Sequence, residues 1–318
     1  MSTTTKNQLE LRVQSITYAA QGTYLVELCA PDESTLPAVS PGAHIDLHLP
    51  NGLVRSYSLV QAEPNPKRYV VGIKLDAASR GGSRYVHEQL RVGSALTVSE
   101  PRNLFPLNLA ANHTVLIAGG IGITPIWCMA QFLEQSGASW ELWYSVRTRA
   151  DAAFLKQIAA LGDKVHLHVD DEAGQIMNLS AIIDAAAPDT HLYCCGPTPM
   201  LDAYELAAAQ RDPETVHIER FSAKEAVALE GGFVVSLARS GLELPVPAGS
   251  SILDVLLDKG VSIDYSCQEG ICGCCEVAVL EGEVDHRDAI LSEKERAANK
   301  TMMVCCSGAR SQRLVLDI

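Results

Sequence analysis

Residues 116–126 read "LIAGGIGITPI" and place glycines where an apolar strand turns into a helix. Small residues at such a turn let the backbone approach a pyrophosphate, and the helix N-terminus supplies N–H donors and positive potential. Pro125 suits the first helical turn because its missing N–H has no partner there anyway. The pair Gly120-x-Gly122 opens a dinucleotide fingerprint, although the third glycine is missing and Thr124 stands near its place. The turn favours nucleotide binding, with a glycine turn made only for packing as the alternative.

The segment around this turn, residues 109–222, alternates strands and helices. "TVLIAGG", "WELWYSV", "VHLHVD" and "HLYCCG" predict strands, while "PIWCMAQFLEQSG" and "PMLDAYELAAAQ" predict helices. This alternation predicts βαβ units and a parallel sheet covered on both faces. Cys195, Gly196 and Pro197 follow at the carboxyl edge of that sheet, where open α/β folds bind ligands. We expect Cys194 to be a core residue, whereas Cys195 could face a ligand.

The first 108 residues consist of short runs with partial period-2 alternation, punctuated by Gly, Pro and Asn. Such closely spaced strands predict an antiparallel sandwich or barrel. Within residues 44–49, Ile and Leu occupy one face of a strand, and His44, Asp46 and His48 occupy the other. We expect this second face to be solvated, with a metal site as the less favoured alternative.

Residues 231–318 predict a third, smaller domain after a linker at 223–230. "GFVVSLARSGLELPVP" predicts a hairpin, and "SSILDVLLDKG" predicts a helix that begins at a serine and ends before Gly260. The sequence therefore predicts a multidomain protein with a β-rich segment, an α/β segment and a small C-terminal domain.

Composition excludes several classes of function. The formal net charge is −13, which argues against a nucleic-acid binder and against docking on anionic lipid. No apolar run approaches the ~20 residues of a membrane span, and the opening "MSTTTKNQLE" lacks a secretory pattern. We expect a cytoplasmic protein whose ten cysteines stay reduced, so that metal, cluster or catalytic roles outrank disulfides.

Four cysteines fall within nine residues of the stretch "DYSCQEGICGCCEV". The spacing of Cys267, Cys272 and Cys275 is the plant-type [2Fe–2S] pattern, which a distant cysteine at 305 or 306 completes. Zinc sites usually show two separated cysteine pairs, and this stretch fits that pattern only loosely. The sequence therefore predicts an iron–sulfur cluster and leaves Cys274 outside it.

Several motifs together resemble the ferredoxin–NADP reductase superfamily, within it the phthalate dioxygenase reductase and vanillate O-demethylase reductase group. They are "RSYSL", "GGIGITP", "CCGP", the cysteine cluster, "EPRNLFPL", "LEGEVDHRD" and the ending "LVLDI". The resemblance covers nearly the whole chain. It implies an FMN-binding β-barrel at 1–108, an NAD-binding α/β domain at 109–222 and a β-grasp ferredoxin domain at 231–318.

The resemblance also implies roles for individual residues. Arg55 would pair with the flavin phosphate, which Gly81, Gly82 and Ser83 would also bind. The remaining flavin residues would be Ser56, Tyr57, Ser58, Ile73, Lys74, Thr124 and Phe221, the last covering the flavin from the linker. The residues for NADH would be Gly120, Ile121, Gly122, Ser145, Arg147, Cys195, Gly196 and Pro197. Candidate catalytic residues are Cys195, Thr124 and Ser58.

For the cluster, the family pattern "V-C-x-S" aligns with "VCCSG" and selects Cys305 as the fourth ligand, leaving Cys306 outside. The resemblance implies that electrons pass from NADH to FMN, to [2Fe–2S] and on to a separate Rieske-type oxygenase that acts on an aromatic acid. A flavin suits this path because it accepts a hydride and releases single electrons. A stand-alone flavin or quinone reductase and an iron–sulfur redox sensor are the alternatives. We expect a monomer.

Overall fold

The computed structural model describes residues 8–77, 79–223 and 225–318. The chain divides into two compact units, Met1–Glu219 and Arg220–Ile318. The expectation about the opening of the sequence concerns residues 1–7, which, like Lys224 of the predicted linker, lie outside the described residues. In the part of the chain that is described, no helix has the length and apolar character needed to span a membrane.

The first unit begins with an antiparallel β-barrel, as predicted. Its strands are β1 (Gln8–Ala20), β2 (Thr23–Cys29), β3 (Ala43–His48), β4 (Val54–Ser58), β5 (Tyr69–Lys74), β6 (Ala95–Ser99) and β7 (Arg102–Asn103), with one helix, α1 (Gly82–Glu88). The strand order is β4-β3-β6-β1-β2-β5, and β7 pairs with β3. An antiparallel bridge between Leu59 and Val71 joins the two ends of this order and closes the barrel. Ile45 and Leu47 point into its core and are fully buried.

The second face of β3 is not solvated, which corrects the expectation for His44 and Asp46. Both residues are buried, with 6% and 3% of their surface exposed. Arg102 from β7 donates to the Asp46 carboxylate at 2.5 Å, and Ser56 from β4 donates to it at 2.6 Å. A buried carboxylate needs such partners, and chain neighbours cannot reveal them because both come from other strands.

The same unit continues with a parallel sheet. Its strands are β8 (Thr114–Gly119), β9 (Trp140–Val146), β10 (Val165–Val169), β11 (His191–Cys195) and β12 (Val216–Glu219). Its helices are α2 (Ile123–Ser136), α3 (Leu155–Ala159), α4 (Asp170–Ala173), α5 (Leu179–Ala185) and α6 (Thr198–Ala208). The strand order is β10-β9-β8-β11-β12. The order of strands along the chain reverses between β8 and β11, and open α/β sheets bind ligands at such a switch point.

The second unit is a mixed β-grasp-like sheet, in agreement with the predicted ferredoxin domain. Its strands are β13 (Phe233–Leu237), β14 (Glu243–Val246), β15 (Glu276–Glu281), β16 (Val284–Asp285), β17 (Thr301–Met303), β18 (Gly308–Ala309) and β19 (Arg313–Leu316). The main sheet has the order β14-β13-β19-β15-β17, with β13 and β19 parallel. The helices are α7 (Ile252–Asp258) and α8 (Glu293–Ala298). Ser251 and Asp254 form a capping box at the start of α7, which explains why this helix begins directly after the serine.

Candidate functional site

Arg55 and the start of α1 form one polar corner of the barrel. A Cβ built on Gly82 would lie 2.7 Å from Arg55 Cγ and 2.9 Å from its Nε, so the arginine crosses directly over this glycine. Gly81 precedes the helix with φ of 101°, a conformation that favours glycine. Ser83 lies in the same first turn, where its hydroxyl accepts from Asp76 N at 3.2 Å. The structure thus brings together the residues predicted to hold a flavin phosphate, and a guanidinium with small neighbours fits that anion.

Ser58 ends β4 beside two residues of the parallel sheet. Its hydroxyl donates to the Glu219 carboxyl at 3.4 Å. Glu219 retains some exposed surface as a residue, but burial of its carboxyl raises the pKa to about 8. Burial also raises the pKa of the Cys195 thiol, with the charge of Glu219 as a second cause. The three side chains form a buried polar group in which the thiol and the carboxyl are both protonated near neutral pH.

Glu219 is a candidate site residue that the sequence did not reveal. It ends β12, a strand that the sequence analysis did not identify. The available signal was the apolar alternation in "VHIE" just before the predicted end of the α/β segment. Because the strand is short and its glutamate looks like an ordinary surface residue, that signal is weak.

The first turn of α2 packs against β5 of the barrel. A Cβ built on Gly72 would lie 2.6 Å from Thr124 Cγ2, so Thr124 reaches the strand that carries Ile73 and Lys74. Ile73 is fully buried in the barrel core, and its carbonyl oxygen lies 3.0 Å from His87 Nε2. A contact between Ile73 and a flavin would therefore need its backbone, and this role stays a prediction. Lys74 is exposed and lies 4.0 Å from the Asp151 carboxylate.

The two glycine turns of the parallel sheet interlock. A Cβ on Gly122 would lie 2.2 Å from the Cys195 carbonyl oxygen, and one on Gly119 would lie 2.7 Å from Pro197 Cδ. Gly120 differs, because a Cβ there would meet no atom within 4 Å and its φ is +52°. The flanking glycines permit backbone-on-backbone packing, whereas Gly120 faces open space. Of the predicted glycines, Gly120 is thus the one that an approaching pyrophosphate can meet.

Carboxylates lie beside Ser145 and Arg147, the two residues near the end of β9 that were predicted to bind NADH. Ser145 donates to Asp170 at 3.2 Å. Arg149 forms a bidentate pair with Glu172 at 2.8 and 2.6 Å, while Arg147 is exposed. Arg149 is already paired with Glu172, and Asp170 would repel a 2′-phosphate, which favours NADH over NADPH.

The cysteine loop of the second unit winds through three left-handed residues. Gln268, Gly270 and Gly273 have φ of 57°, 69° and 71°. Four thiols become buried around this loop, with 2–5% exposure, at Cys267, Cys272, Cys275 and Cys305. Glu269 N donates to Cys267 Sγ at 3.3 Å, so a backbone N–H of this loop points at a sulfur. Such donors stabilise thiolates and tune an iron–sulfur centre.

The four thiols contact one another in series, since Cys267 contacts both Cys272 and Cys305, and Cys305 also contacts Cys275. The contact with Cys267 lowers the pKa of Cys272, while Cys272 raises the pKa of Cys267. The contact with Cys305 likewise lowers the pKa of Cys275, and contacts with Cys267 and Cys275 raise that of Cys305. Four adjacent thiolates repel one another, so full deprotonation requires a cationic centre.

This donor set fits a [2Fe–2S] cluster, in which each iron takes two cysteine thiolates. In the described ranges no three His, Cys, Asp or Glu side chains are grouped as ligands for a single metal ion. The four sulfurs instead contact one another in series.

Two cysteines stand outside this set. Cys306 Sγ lies 3.7 Å from the Met303 carbonyl oxygen, and a Cβ on Gly270 would lie 2.5 Å from that sulfur. Cys274 is only partly buried, and its thiol lies 3.8 Å from the Cys272 carbonyl oxygen. Phe221, predicted to cover the flavin, belongs to the second unit and is 38% exposed there, so its role stays a prediction.

Two family models match the chain. "Oxidoreductase NAD-binding domain" matches residues 116–205, and "2Fe-2S iron-sulfur cluster binding domain" matches residues 235–310. Phenoxybenzoate dioxygenase subunit beta of Ectopseudomonas oleovorans is 51% identical, over 98% of this chain and 97% of that protein. Tetrachlorobenzoquinone reductase of Sphingobium chlorophenolicum is 48% identical, over 98% of each chain. The solved structure of phthalate dioxygenase reductase is 37% identical with a TM-score of 0.75, over 98% of each chain.

These findings define an oxidoreductase in which an NAD-binding domain and a [2Fe–2S] domain share one chain. The chain belongs to the phthalate dioxygenase reductase family. The predicted family and the predicted cofactors, FMN, NADH and [2Fe–2S], are thereby confirmed.

Proposed function

We propose that this chain is the reductase component of a two-component Rieske-type oxygenase or demethylase acting on an aromatic compound. The proposal rests on the cluster of four buried thiols, in a chain that also contains the two interlocked glycine turns. One site suits a hydride donor, and the other suits delivery of single electrons to another protein. Relatives named as a dioxygenase subunit and a dioxygenase reductase support this assignment.

In the first unit, each group of residues has a distinct task. Arg55, Gly82 and Ser83 hold the flavin phosphate. Ser58 and Cys195 flank the path between nicotinamide and flavin, and the protonated Glu219 keeps the Ser58 hydroxyl oriented. Bound flavin supplies the conversion between a two-electron donor and a one-electron acceptor.

The nucleotide lies along the carboxyl edge of the parallel sheet in this proposal. Gly120 and Ile121 present the backbone to its pyrophosphate, Gly122 lets the two turns pack together, and Gly196 with Pro197 borders the nicotinamide. Ser145 and Asp170 receive the adenosine ribose, with Arg147 at the exposed margin.

In the second unit, Cys267, Cys272, Cys275 and Cys305 hold the cluster. Residues 223–318 carry 15 Asp and Glu against 9 Lys and Arg, a net charge of −6. This charge supports a transient, salt-sensitive contact with a basic surface on the oxygenase. We also propose domain boundaries at residues 108, 222 and 230, a monomeric state and a cytoplasmic location.

An anaerobic titration with NADH tests the electron path. Visible spectra should show bleaching of a flavin band, and electron paramagnetic resonance should then show a reduced [2Fe–2S] signal. Flavin bleaching without a cluster signal would contradict the path, and no response to NADH would reject the function.

Reduction of free quinones without a protein partner is a second candidate function, because one relative is named a tetrachlorobenzoquinone reductase. The two candidates differ in their need for the cluster, since a flavin can reduce a quinone directly. Quinone turnover that survives loss of the cluster, together with failure to reduce any Rieske oxygenase, would favour this second candidate.

A further inference from the structure

Asp288 is a buried carboxylate of the second unit, between β16 and α8, and its side chain has no exposed surface. Ile290 N and Leu291 N donate to its Oδ2 at 3.1 and 2.8 Å, so the carboxylate closes a tight turn of the backbone. The Arg296 guanidinium of α8 lies 3.9 Å from the same oxygen and donates to the Asp288 carbonyl oxygen. Burial of a charged group is costly unless it has such partners, so these contacts fix the turn in one conformation.

The backbone of this turn lies directly against the cysteine loop. Ala289 N donates to the Gly270 carbonyl oxygen at 2.8 Å. A Cβ built on Gly270 would lie 2.9 Å from Asp288 Cα and 3.2 Å from Asp288 Cβ, so the two segments leave no space for a side chain between them. Gly270 stands between Cys267 and Cys272 in the sequence. The turn at Asp288 therefore contacts the loop between two of its proposed ligands.

The residues just before this turn contact the segment that follows the fourth proposed ligand. Asp285 pairs with Gly308 in the two-stranded sheet, and Arg287 N donates to Ser307 Oγ at 3.2 Å. Cys305 stands two positions before that serine. One short segment, residues 285–291, thus contacts both the loop that supplies three cysteines and the chain beside the distant one.

The cysteine loop needs contacts of this kind. Gln268 has a left-handed φ of 57°, which is costly for a residue with a Cβ, and Gly270 follows with a φ of 69°. Such a backbone persists only where its surroundings fix it. The same backbone directs Glu269 N at Cys267 Sγ, and hydrogen bonds to the sulfurs help set the reduction potential of an iron–sulfur cluster. A displacement of Gly270 would therefore alter the hydrogen bonds to sulfur.

We propose that Asp288 is a positioning residue for the iron–sulfur cluster, with Arg296 as its partner. The inference rests on the four cysteine ligands of the proposed function. The Asp288 carboxylate shapes the turn, the turn fixes Gly270, and Gly270 fixes the direction of the neighbouring N–H groups toward the sulfurs. Asp288 thereby controls both the retention of the cluster and its affinity for an electron.

Three variants of the full-length holoprotein test this role. Asp288→Ala removes the acceptor of the turn. Asp288→Asn keeps an oxygen for the two N–H groups and offers its amide to His286 Nδ1, which lies 3.6 Å from Asp288 Oδ1 in the parent. Asp254→Ala is the matched control, because Asp254 also fixes backbone in this unit, where it accepts from Ser251 N at 2.9 Å in the capping box of α7.

Two quantities are measured for each variant. The first is the rate of iron release to a chelator. The second is the ratio of reduced to oxidised cluster in equilibrium with a dye of fixed potential, read by electron paramagnetic resonance. Asp288→Ala should release iron at least about tenfold faster. Its ratio should fall about three- to tenfold, because fewer N–H groups then stabilise the negative charge of the added electron.

The other two variants separate position from stability. Asp288→Asn should stay within about twofold of the parent in both measurements, because it conserves the hydrogen bonds of the turn. Asp254→Ala should lower the thermal stability of the second unit through loss of its cap, and leave the ratio within about twofold of the parent.

Two results would overturn the proposal. One is an Asp288→Ala protein that matches the parent in iron release and in the ratio. The other is an Asp254→Ala protein with the same fall in the ratio as Asp288→Ala, because the effect would then follow from stability alone. An Asp288→Ala protein that is folded by circular dichroism but holds no iron, while Asp254→Ala keeps its iron, would support the proposal.

Arg296→Gln decides the case in which Asp288→Ala does not fold. The Arg296 side chain is 27% exposed, so its replacement leaves no buried space to fill. This variant should lower the ratio about twofold to threefold, since it removes one partner of the turn and leaves the carboxylate in place. A ratio equal to that of the parent would overturn the proposal.

The inference and the proposed ligand set fail differently. If Cys272→Ser keeps its iron, the ligand set of the proposed function is wrong. If Cys272→Ser loses its iron while Asp288→Ala behaves as the parent does, only the assignment of Asp288 fails.

Discussion

At the scale of single residues, the ionisation of Glu219 makes the stability of the first unit depend on pH. Burial raises the pKa of its carboxyl to about 8, whereas a free glutamate titrates near 4.5. Between these two values the folded state binds a proton that the unfolded state has released. Stability must therefore fall as pH rises through this window.

We predict that Glu219→Gln flattens this dependence. From pH 5 to pH 8 the parent should lose roughly 2–4 kcal/mol of stability from this group, and the variant should lose none of it. Flavin fluorescence released on heating, recorded at several pH values, measures the difference. Glu214→Gln, at an exposed carboxyl in the turn before β12, is the matched control and should follow the parent. A variant as pH-sensitive as the parent would show that Glu219 is not the group responsible.

At the scale of elements, the glycines of the two interlocked turns have different functions. Gly122→Ala would place a methyl 2.2 Å from the Cys195 carbonyl oxygen, so the turn after β8 must separate from the turn after β11. We predict a loss of about 2–4 kcal/mol, typical of overpacking against backbone. Gly120→Ala meets open space and should cost only about 1–2 kcal/mol from its left-handed conformation.

Thermal unfolding of the two variants, compared with the parent, measures this difference. Gly137→Ala, which has open space and a φ of +70° at the end of α2, is a control for left-handed strain outside the site. A greater loss of stability in Gly120→Ala than in Gly122→Ala would show that Gly122 is not the glycine required for packing between the two turns.

The elements that the sequence predicted are those whose signal is local. The strand–turn–helix at 116–126 and the spacing of Cys267, Cys272 and Cys275 each lie within a dozen residues, so their patterns survive in the linear chain. Asp46 was misjudged because its partners come from β4 and β7. Glu219 was missed because its burial depends on the barrel, which no pattern near β12 encodes.

The same reasoning applies to Asp288. It ends the stretch "LEGEVDHRD", but its contact with Gly270 of the cysteine loop appears only after the second unit has folded. Residues whose role depends on two distant segments therefore lie beyond sequence patterns, whereas ligand sets built on one loop do not.

At the scale of the whole molecule, the chain separates its two kinds of electron chemistry into two compact units. The nucleotide turns, Ser58 and Glu219 belong to the first, and the four thiols belong to the second. Each site is built from contacts within its own unit. Loss of one of these four thiols should therefore leave the first unit able to accept a hydride, since sites that share no partners act nearly independently.

We predict that Cys272→Ser uncouples the two units. This variant should lose iron and the reduced-cluster signal, yet NADH should still bleach its flavin band at a rate within about twofold of the parent. Transfer of single electrons to a protein acceptor should fall to background, because the cluster is the group that passes electrons to the acceptor.

Cys274→Ser is the matched control, since it changes a cysteine of the same loop that lies outside the ligand set. It should keep both the iron and the transfer. Equal loss of iron in the two variants would show that the ligand set is wrong, and loss of flavin bleaching in Cys272→Ser would show that the first unit depends on the cluster.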